Sequence, residues 1–345
     1  MKFSIATIVI LFQIQVLLAQ PPEGYYDGTE NLYGSYLKHS LHEIIKDHTT
    51  YPYTSSSGID VWDILKETDR DTTNPDNVIL FYTGWSVDAD QEYNNGHGWS
   101  REHVWAKSRG DFGTTPPAGT DINNLRPADI SVNSARSNRS FDTCSIPYTD
   151  GELYTGCFTD TARWVWQPRP EVQGDVARMI FYMVTRYEGN NNEPDLEIVN
   201  YILPKENKSP YHALLSRLLK WNESDPVDSF ELHRNDVVYS YQHNRNPFID
   251  HPEYINRIWT SDSTLGTNQI AHHDLPTVYP NPATTIIHFK NADGFTKQIY
   301  STNGILYGQT KNNYVNIAKY PSGVYIIILM NQKNKVLQHT KLIKL

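Results

Sequence analysis

The sequence predicts a chain in two parts, a mixed α/β or α+β body followed by a small all-β sandwich, and three observations predict it. Before residue 260, apolar residues recur at helical spacing in several segments, while strand-like runs are few. All eight tryptophans (62, 85, 99, 105, 164, 166, 221 and 259) stand before Ser261, and none follows. Past that point, short apolar or β-branched runs alternate with Asn, Gly, Lys and Pro turn clusters at spacings of roughly ten residues.

The opening "MKFSIATIVILFQIQVLLAQ" has one lysine, an apolar run and a small residue at Ala19, the pattern of a signal peptide over 1–19. It is too short and too soon followed by polar "PPEGYYDGTE" to span a bilayer, and no other segment is apolar enough. An exported, soluble mature protein is expected. Next, "TENLYGSYLKHSLHEIIKDH" puts Leu32, Tyr36, Leu37, Leu41, Ile44 and Ile45 on one helical face, with Thr29 as candidate N-cap. "VWDILKETD" predicts a second short helix and "NVILFYTG" a buried strand.

In "GHGWSREHVWAKSRG", Gly96 and Gly98 mark a turn, and Trp99, Val104 and Trp105 favour a strand in a hairpin. On such a strand Arg101 and His103 share a face and Glu102 points to the other. For Glu102 and His103 to meet one ligand, the strand must end or bend there. "GTDINNLRPADISVNSARSNRSF" predicts a helix beginning near Pro127 and running to about Asn138. Asn133 then lies inside the helix, against its local preference by roughly 0.5 kcal/mol relative to alanine. Such a misplacement invites a functional explanation. Further on, "GDVARMIFYMVTRYEG" and "PYHALLSRLLKW" read as helices.

Cys144 and Cys157, the only cysteines, are expected to pair in an oxidising compartment, closing a loop worth about 3 kcal/mol. The alternative is two buried free thiols, which the polar loop between them disfavours. The formal net charge is −9, or −10 without Lys2. The segment from Val278 to Leu345 has eight lysines, no arginine and one acid, Asp293, which leaves +7 there and −17 on 20–277. So acidic a body excludes broad electrostatic binding of nucleic acid; any phosphate chemistry must be local and metal-assisted.

The C-terminal runs "VYPNPATTIIHF", "IYSTNGILYG", "YPSGVYIIIL" and "KLIKL" resemble the sorting domain of the type IX secretion system. That resemblance implies passage through the periplasm, engagement of the type IX machinery, and release or attachment at the cell surface. The domain boundaries expected are a body over 20–264, a linker over 265–277 ("SDSTLGTNQIAHHDLP" lacks periodicity) and the tail over 278–345.

In the body, "REHVWAKS", "GTDINNLRPADISVNSARSN", "GDVARMIFYM" and "NRNPFIDHPEY" occur in order and resemble the endonuclease I family of secreted DNases and ribonucleases. The resemblance implies an α+β fold with a ββα-metal nuclease core surrounded by helices. It further implies a sequence-nonspecific endonuclease that leaves 5'-phosphate ends, with DNA weakly preferred to RNA, acting as a monomer without a membrane span. Carried over by motif, His103 is the general base, and Glu102 and Asn133 are ligands of Mg2+, with Mn2+ or Ca2+ as substitutes. A neutral imidazole can take a proton from water near pH 7. A carboxylate plus an amide oxygen suits Mg2+, leaving positions for water and phosphate.

Arg101, Arg136 and Arg126 are candidates for holding phosphate, Arg101 first because it shares a strand face with His103. From Arg101 to Arg139 there are six basic and four acidic residues, a local +2 within the acidic body. The sequence departs from the family where many relatives have a histidine and this chain has Asn123 or Asn124. Arg178 and the group Arg245, Asn246, Asp250 and His251 are expected to form a buried network supporting the helix of Asn133. His97 sits in a glycine loop, and His272 and His273 in the linker, where a metal site is not expected. Two other readings remain, a secreted scaffold with a decayed site and a nucleic-acid-binding module built on the lysine-rich tail. Intact Glu102, His103 and Asn133 oppose the first, and the tail's lack of arginine opposes the second.

Overall fold

A computed structural model of the protein describes residues 20–260, 277–290, 292–301, 305–330 and 336–345. The expected signal peptide and nearly all of the expected linker, with His272 and His273, lie outside the described residues. Two compact units divide between Arg257 and Ile258, Asn31–Ser40 grouping with the second.

The body runs α1 (Gly34–Ile45), α2 (Val61–Thr68), β1 (Asn77–Ile79), β2 (Ser86–Asp88), β3 (Trp99–His103), β4 (Leu125–Asp129), α3 (Ile130–Arg136), β5 (Ser140–Phe141), β6 (Ile146–Asp150), β7 (Leu153–Asp160) and β8 (Val165–Gln167). It continues with α4 (Gln173–Arg186), β9 (Glu197–Val199), β10 (Tyr211–Ala213), α5 (Leu215–Ser224), α6 (Ser229–Gln242), α7 (Pro247–Asp250) and α8 (Glu253–Trp259). Leu37, Leu41 and Ile45 are buried along α1, as the periodicity requires. Thr29 does not cap it; its hydroxyl donates to Tyr26 O and meets the Tyr254 hydroxyl. In α2 the cap is Asp60, which accepts from the Trp62 and Asp63 N–H groups while Asp63 returns a bond to the Asp60 N–H. "NVILFYTG" is buried as expected, but its strand stops at Ile79, and Leu80, Phe81 and Tyr82 continue as buried turn.

The segments that matter are β3 and β4, antiparallel, with Glu102 opposite Arg126 and His103 opposite Leu125, and α3, which follows β4 without a gap. The turn before β3 needs its glycines: Gly96 has φ 90°, and a Cβ on Gly98 would lie 1.7 Å from Gln91 O. The helix expected from Pro127 begins only at Ile130. Proline forces its predecessor toward extended backbone, so 125–129 pair as a strand, and Asp129 caps the helix through the Ser131 and Val132 N–H groups.

Buried charge holds this core together. Arg126 pairs with Asp69 at 2.6 Å and Asp175 at 3.2 Å, Arg178 with Glu231 at 2.5 Å, and Arg245 with Asp250 at 2.7 Å. Removing one partner of such a pair costs about 3–5 kcal/mol. Arg126 is therefore a structural cation of β4 and not a phosphate holder. Arg178, Arg245, Asn246 and Asp250 are structural as expected, but they join α4, α6 and α7, and the link to the site runs through Asp175 to β4 instead of to α3. His251 is half-buried against Glu253.

The expected disulfide is absent: both cysteines are free. Their strands explain it. With Ile146 opposite Thr159, Cys144 would face position 161, four positions from Cys157. That is about 13 Å of strand, beyond the reach of a disulfide. The Cys157 thiol instead donates to Tyr82 O and the Cys144 thiol to Asp142 O.

The tail forms β11 (Thr277–Tyr279), β12 (Ile286–Lys290), β13 (Thr296–Ser301), β14 (Leu306–Thr310), β15 (Tyr314–Asn316), β16 (Gly323–Met330) and β17 (Val336–Lys344). One antiparallel sheet has the order β11-β12-β15 and the other β14-β13-β16-β17. Alternate residues of both, including Ile287, Phe289, Ile299, Ile327 and Leu342, fill a common core.

Candidate active site

β3 ends at His103, and Glu102 and His103, neighbours of opposite strand faces, line the same cavity. Arg101, Glu102, His103, Asn133 and Arg136 line one cavity of about 340 Å³, together with Lys107, Ser108, Asn138 and Lys205. Five residues singled out in the sequence are thus brought together. His97 is exposed in its loop and does not line the cavity.

His103 is buried, its ring stacked on Tyr53 at 5.7 Å, and its Nε2 lies 2.9 Å from Gly119 O. A carbonyl only accepts, so Nε2 carries the hydrogen and Nδ1 the free lone pair. Burial, opposed by the Gly119 carbonyl and reinforced by Lys107, Arg101 and Arg136, lowers the ring's pKa to about 3. The imidazole is therefore neutral, with its Nδ1 lone pair unprotonated, throughout the physiological range. Gly119 has no room for a side chain, since a Cβ would meet the Thr114 and Thr115 backbone at 2.5 Å.

Glu102 is buried, and its Oε1 accepts from the Tyr82 hydroxyl at 2.7 Å and lies 3.0 Å from an Arg136 nitrogen. Burial raises its pKa, with Arg136 and Tyr82 opposing. Asn133 reaches back from α3 to β3, its Nδ2 donating to Ser100 Oγ at 2.9 Å and facing Arg101 O at 3.5 Å. With the amide nitrogen committed, Oδ1 is the atom left for a ligand. A carboxylate and an amide oxygen in one cavity are hard donors that fit a divalent cation of the Mg2+ type. Among the described residues there is no cluster of three or more His, Cys, Asp or Glu side chains that could hold a metal.

The two arginines differ. Arg136 lines the cavity but is fully buried, donating to His103 O at 3.0 Å and Val104 O at 2.5 Å as well as facing Glu102. Its setting is that of a support for the end of β3. Arg101 lies between aromatic rings, 3.5 Å over Tyr53 and 3.9 Å over Trp62, and donates to Tyr53 O and Thr54 Oγ1. Its Nε is buried without a partner in the structure.

Sequence reasoning missed Tyr82, Gly119, Lys107 and Lys205. Only Gly119 carried a signal, a glycine closing "TTPPAG". At the departure from the family, Asn124 clamps Trp105, accepting from its N–H at 2.6 Å and donating to its carbonyl at 3.2 Å, and Asn123 is buried. Neither lines the cavity.

A family model for endonuclease I matches residues 33–253, and one for the secretion system C-terminal sorting domain matches residues 277–344. The chain is 50% identical over 238 residues to an extracellular ribonuclease of Bacillus subtilis, covering 68% of this chain and 78% of that protein. It is 50% identical over 240 residues to an extracellular ribonuclease of Bacillus amyloliquefaciens, covering 69% and 78%. A solved structure of PorZ, a surface component of the type IX secretion system of Porphyromonas gingivalis, matches 23% of this chain and 13% of its own at 21% identity and a TM-score of 0.19. That overlap is too slight to bear on the fold.

Proposed function

The chain belongs to the endonuclease I family, and on that premise we propose that it is a metal-dependent, sequence-nonspecific endonuclease that hydrolyses phosphodiester bonds to 5'-phosphate ends. Members of the family are generally metal-dependent. The sorting tail makes it a secreted or cell-surface protein, and among the described residues no helix is long and apolar enough to cross a membrane. Both curated relatives are named ribonucleases, which moves the expected substrate from DNA toward RNA, with DNA retained.

The observation that carries this reading is the neutral His103, its Nε2 hydrogen spent on Gly119 O, in the same cavity as Glu102 and Asn133. In the proposed reaction Nδ1 of His103 takes a proton from a water whose oxygen bonds to phosphorus, the bond from phosphorus to the 3'-oxygen breaks, and the departing 3'-oxygen takes a proton from solvent. Glu102 and Asn133 would hold the cation, which supplies positive charge against the phosphate and the leaving oxygen. Tyr82 and Arg136 orient the Glu102 carboxylate. Lys107 steadies the phosphate, and Arg101, lining the same cavity, adds positive charge.

Titrating activity against Mg2+ in the wild type, Glu102→Gln, Asn133→Ala and the double variant tests the shared site. Each single substitution raises the metal midpoint at least tenfold with partial recovery at excess metal, and the double loses much less than the two together. Midpoints unchanged in both single variants would remove Glu102 and Asn133 from the metal site.

A further inference from the structure

A second recess opens beside the catalytic cavity, and Asn138 joins the two. From the cavity wall, Asn138 Nδ2 donates to Ser108 Oγ at 3.2 Å and to Lys205 O at 2.9 Å, while its Oδ1 accepts the indole N–H of Trp164 at 2.8 Å. Lys205 lines both spaces, and the second, of about 460 Å³, is walled by Trp164 and Pro204. Trp164 is half-buried at φ 58°, a backbone region that bulky residues seldom adopt. The Arg139 guanidinium lies 3.9 Å over its ring, itself held by Ala135 O and Thr161 Oγ1. The Lys205 ammonium, exposed and without an ion pair among the described residues, lies over the same ring 5.0 Å from its centroid.

We propose that Trp164 and Lys205 form a subsite for a nucleotide next to the scissile phosphate, its base stacked on the indole and its phosphate on the lysine. The arriving base takes the lysine's place over the ring as the lysine turns to the phosphate. This rests on the nuclease reading above. The subsite selects unpaired strands, because a base can lie on the indole only after leaving its own stack. Three features argue for it. An indole pinned at its N–H and backed by a fixed arginine is a rigid platform. The recess shares Lys205 with the candidate cavity, and Asn138 of the cavity holds the Trp164 indole N–H. And a body of charge −17 offers substrate no broad attraction, so affinity has to come from local contacts of this kind.

The test compares kcat/KM on single-stranded RNA and DNA oligonucleotides with kcat/KM on the same strands in duplex. Trp164→Leu lowers the ratio of single-stranded to duplex kcat/KM about tenfold, through KM, while Trp164→Phe keeps most of it. Lys205→Ala, an exposed position, raises KM on single strands severalfold and flattens its dependence on log salt by about 0.7. An unchanged ratio in Trp164→Leu together with an unchanged salt slope in Lys205→Ala overturns the subsite. So does an equal loss of kcat on both substrates in Trp164→Leu and Trp164→Phe, which marks a purely structural tryptophan. A wild type inactive on every oligonucleotide overturns the nuclease reading itself, which separates the two failures.

Discussion

The residues that line the candidate cavity are of two opposite kinds. Glu102, His103 and Arg136 are buried and each is held by named partners: Tyr82 and Arg136 on Glu102, Gly119 on His103, and the carbonyls of His103 and Val104 on Arg136. Lys107 and Lys205, which line the same cavity, are exposed and without an ion pair among the described residues. A group that must act on one proton or one ion gains from being fixed in a dry site, where orientation is set before substrate arrives. A group that only neutralises phosphate gains little from fixation, because charge acts over several ångströms without exact aim. Substitutions of the buried kind should therefore change chemistry, and those of the exposed kind affinity.

The largest effect is expected for His103→Ala, which lowers kcat by about 100-fold or more while leaving the fold and the metal midpoint in place. Initial rates at saturating metal, with circular dichroism as control, decide it, and near wild-type turnover would falsify the role of base. Because burial depresses the His103 pKa to about 3, its basic form persists as pH falls. Wild-type kcat at saturating metal should hold to about pH 5, where an ordinary histidine is mostly protonated.

Gly119→Ala comes next. The added methyl displaces the Thr114–Thr115 backbone and with it the carbonyl that sets the His103 tautomer, so kcat falls about tenfold or more with metal affinity unchanged. A wild-type rate in this variant would mean that the carbonyl does not orient the ring. Lys107→Ala blurs or sharpens the contrast from the other side: KM rises by about threefold and kcat stays within twofold, and a loss confined to kcat would put Lys107 in the chemistry. The smallest effect in vitro belongs to the tail. Truncation after Asp274 leaves kcat/KM within about twofold but abolishes export in the native host; lost substrate affinity would instead revive the binding-module reading.

What was legible in the sequence was local. The β3 strand announces itself by its glycine turn and strand-forming residues and the tail strands by their short apolar runs between turn clusters, and four ordered motifs brought Glu102, His103 and Asn133 to notice although β4 and a long loop separate them in the chain. The misreadings share one cause. Arg126 resembles a free cation until Asp69 and Asp175, 57 and 49 positions away, are placed beside it. Pro127 resembles a helix start until Arg101 is set opposite it in a ladder. Cys144 and Cys157 look adjacent by spacing, but the β6–β7 register holds them apart. Trp164 gave no sign at all, because its partners, the adjacent Asn138 and Arg139 and the distant Lys205, lie 25 or more positions away in the chain.

Cys157 turns this arrangement into a clock. Its thiol donates to Tyr82 O, and the hydroxyl of that same tyrosine steadies Glu102. Burial pushes the thiol up to about 11, so in the closed protein it presents no thiolate and no access to a labelling reagent. Labelling therefore waits for the local structure to breathe, and its rate counts the openings of the scaffold behind the carboxylate. Cys144, half-buried and donating only to Asp142 O, supplies the internal reference for a reaction that needs less opening. If a divalent cation binds at Glu102 as proposed, it should slow the Cys157 clock more than the Cys144 one, and an unchanged ratio of the two labelling rates on adding Mg2+ would count against Glu102 as a ligand.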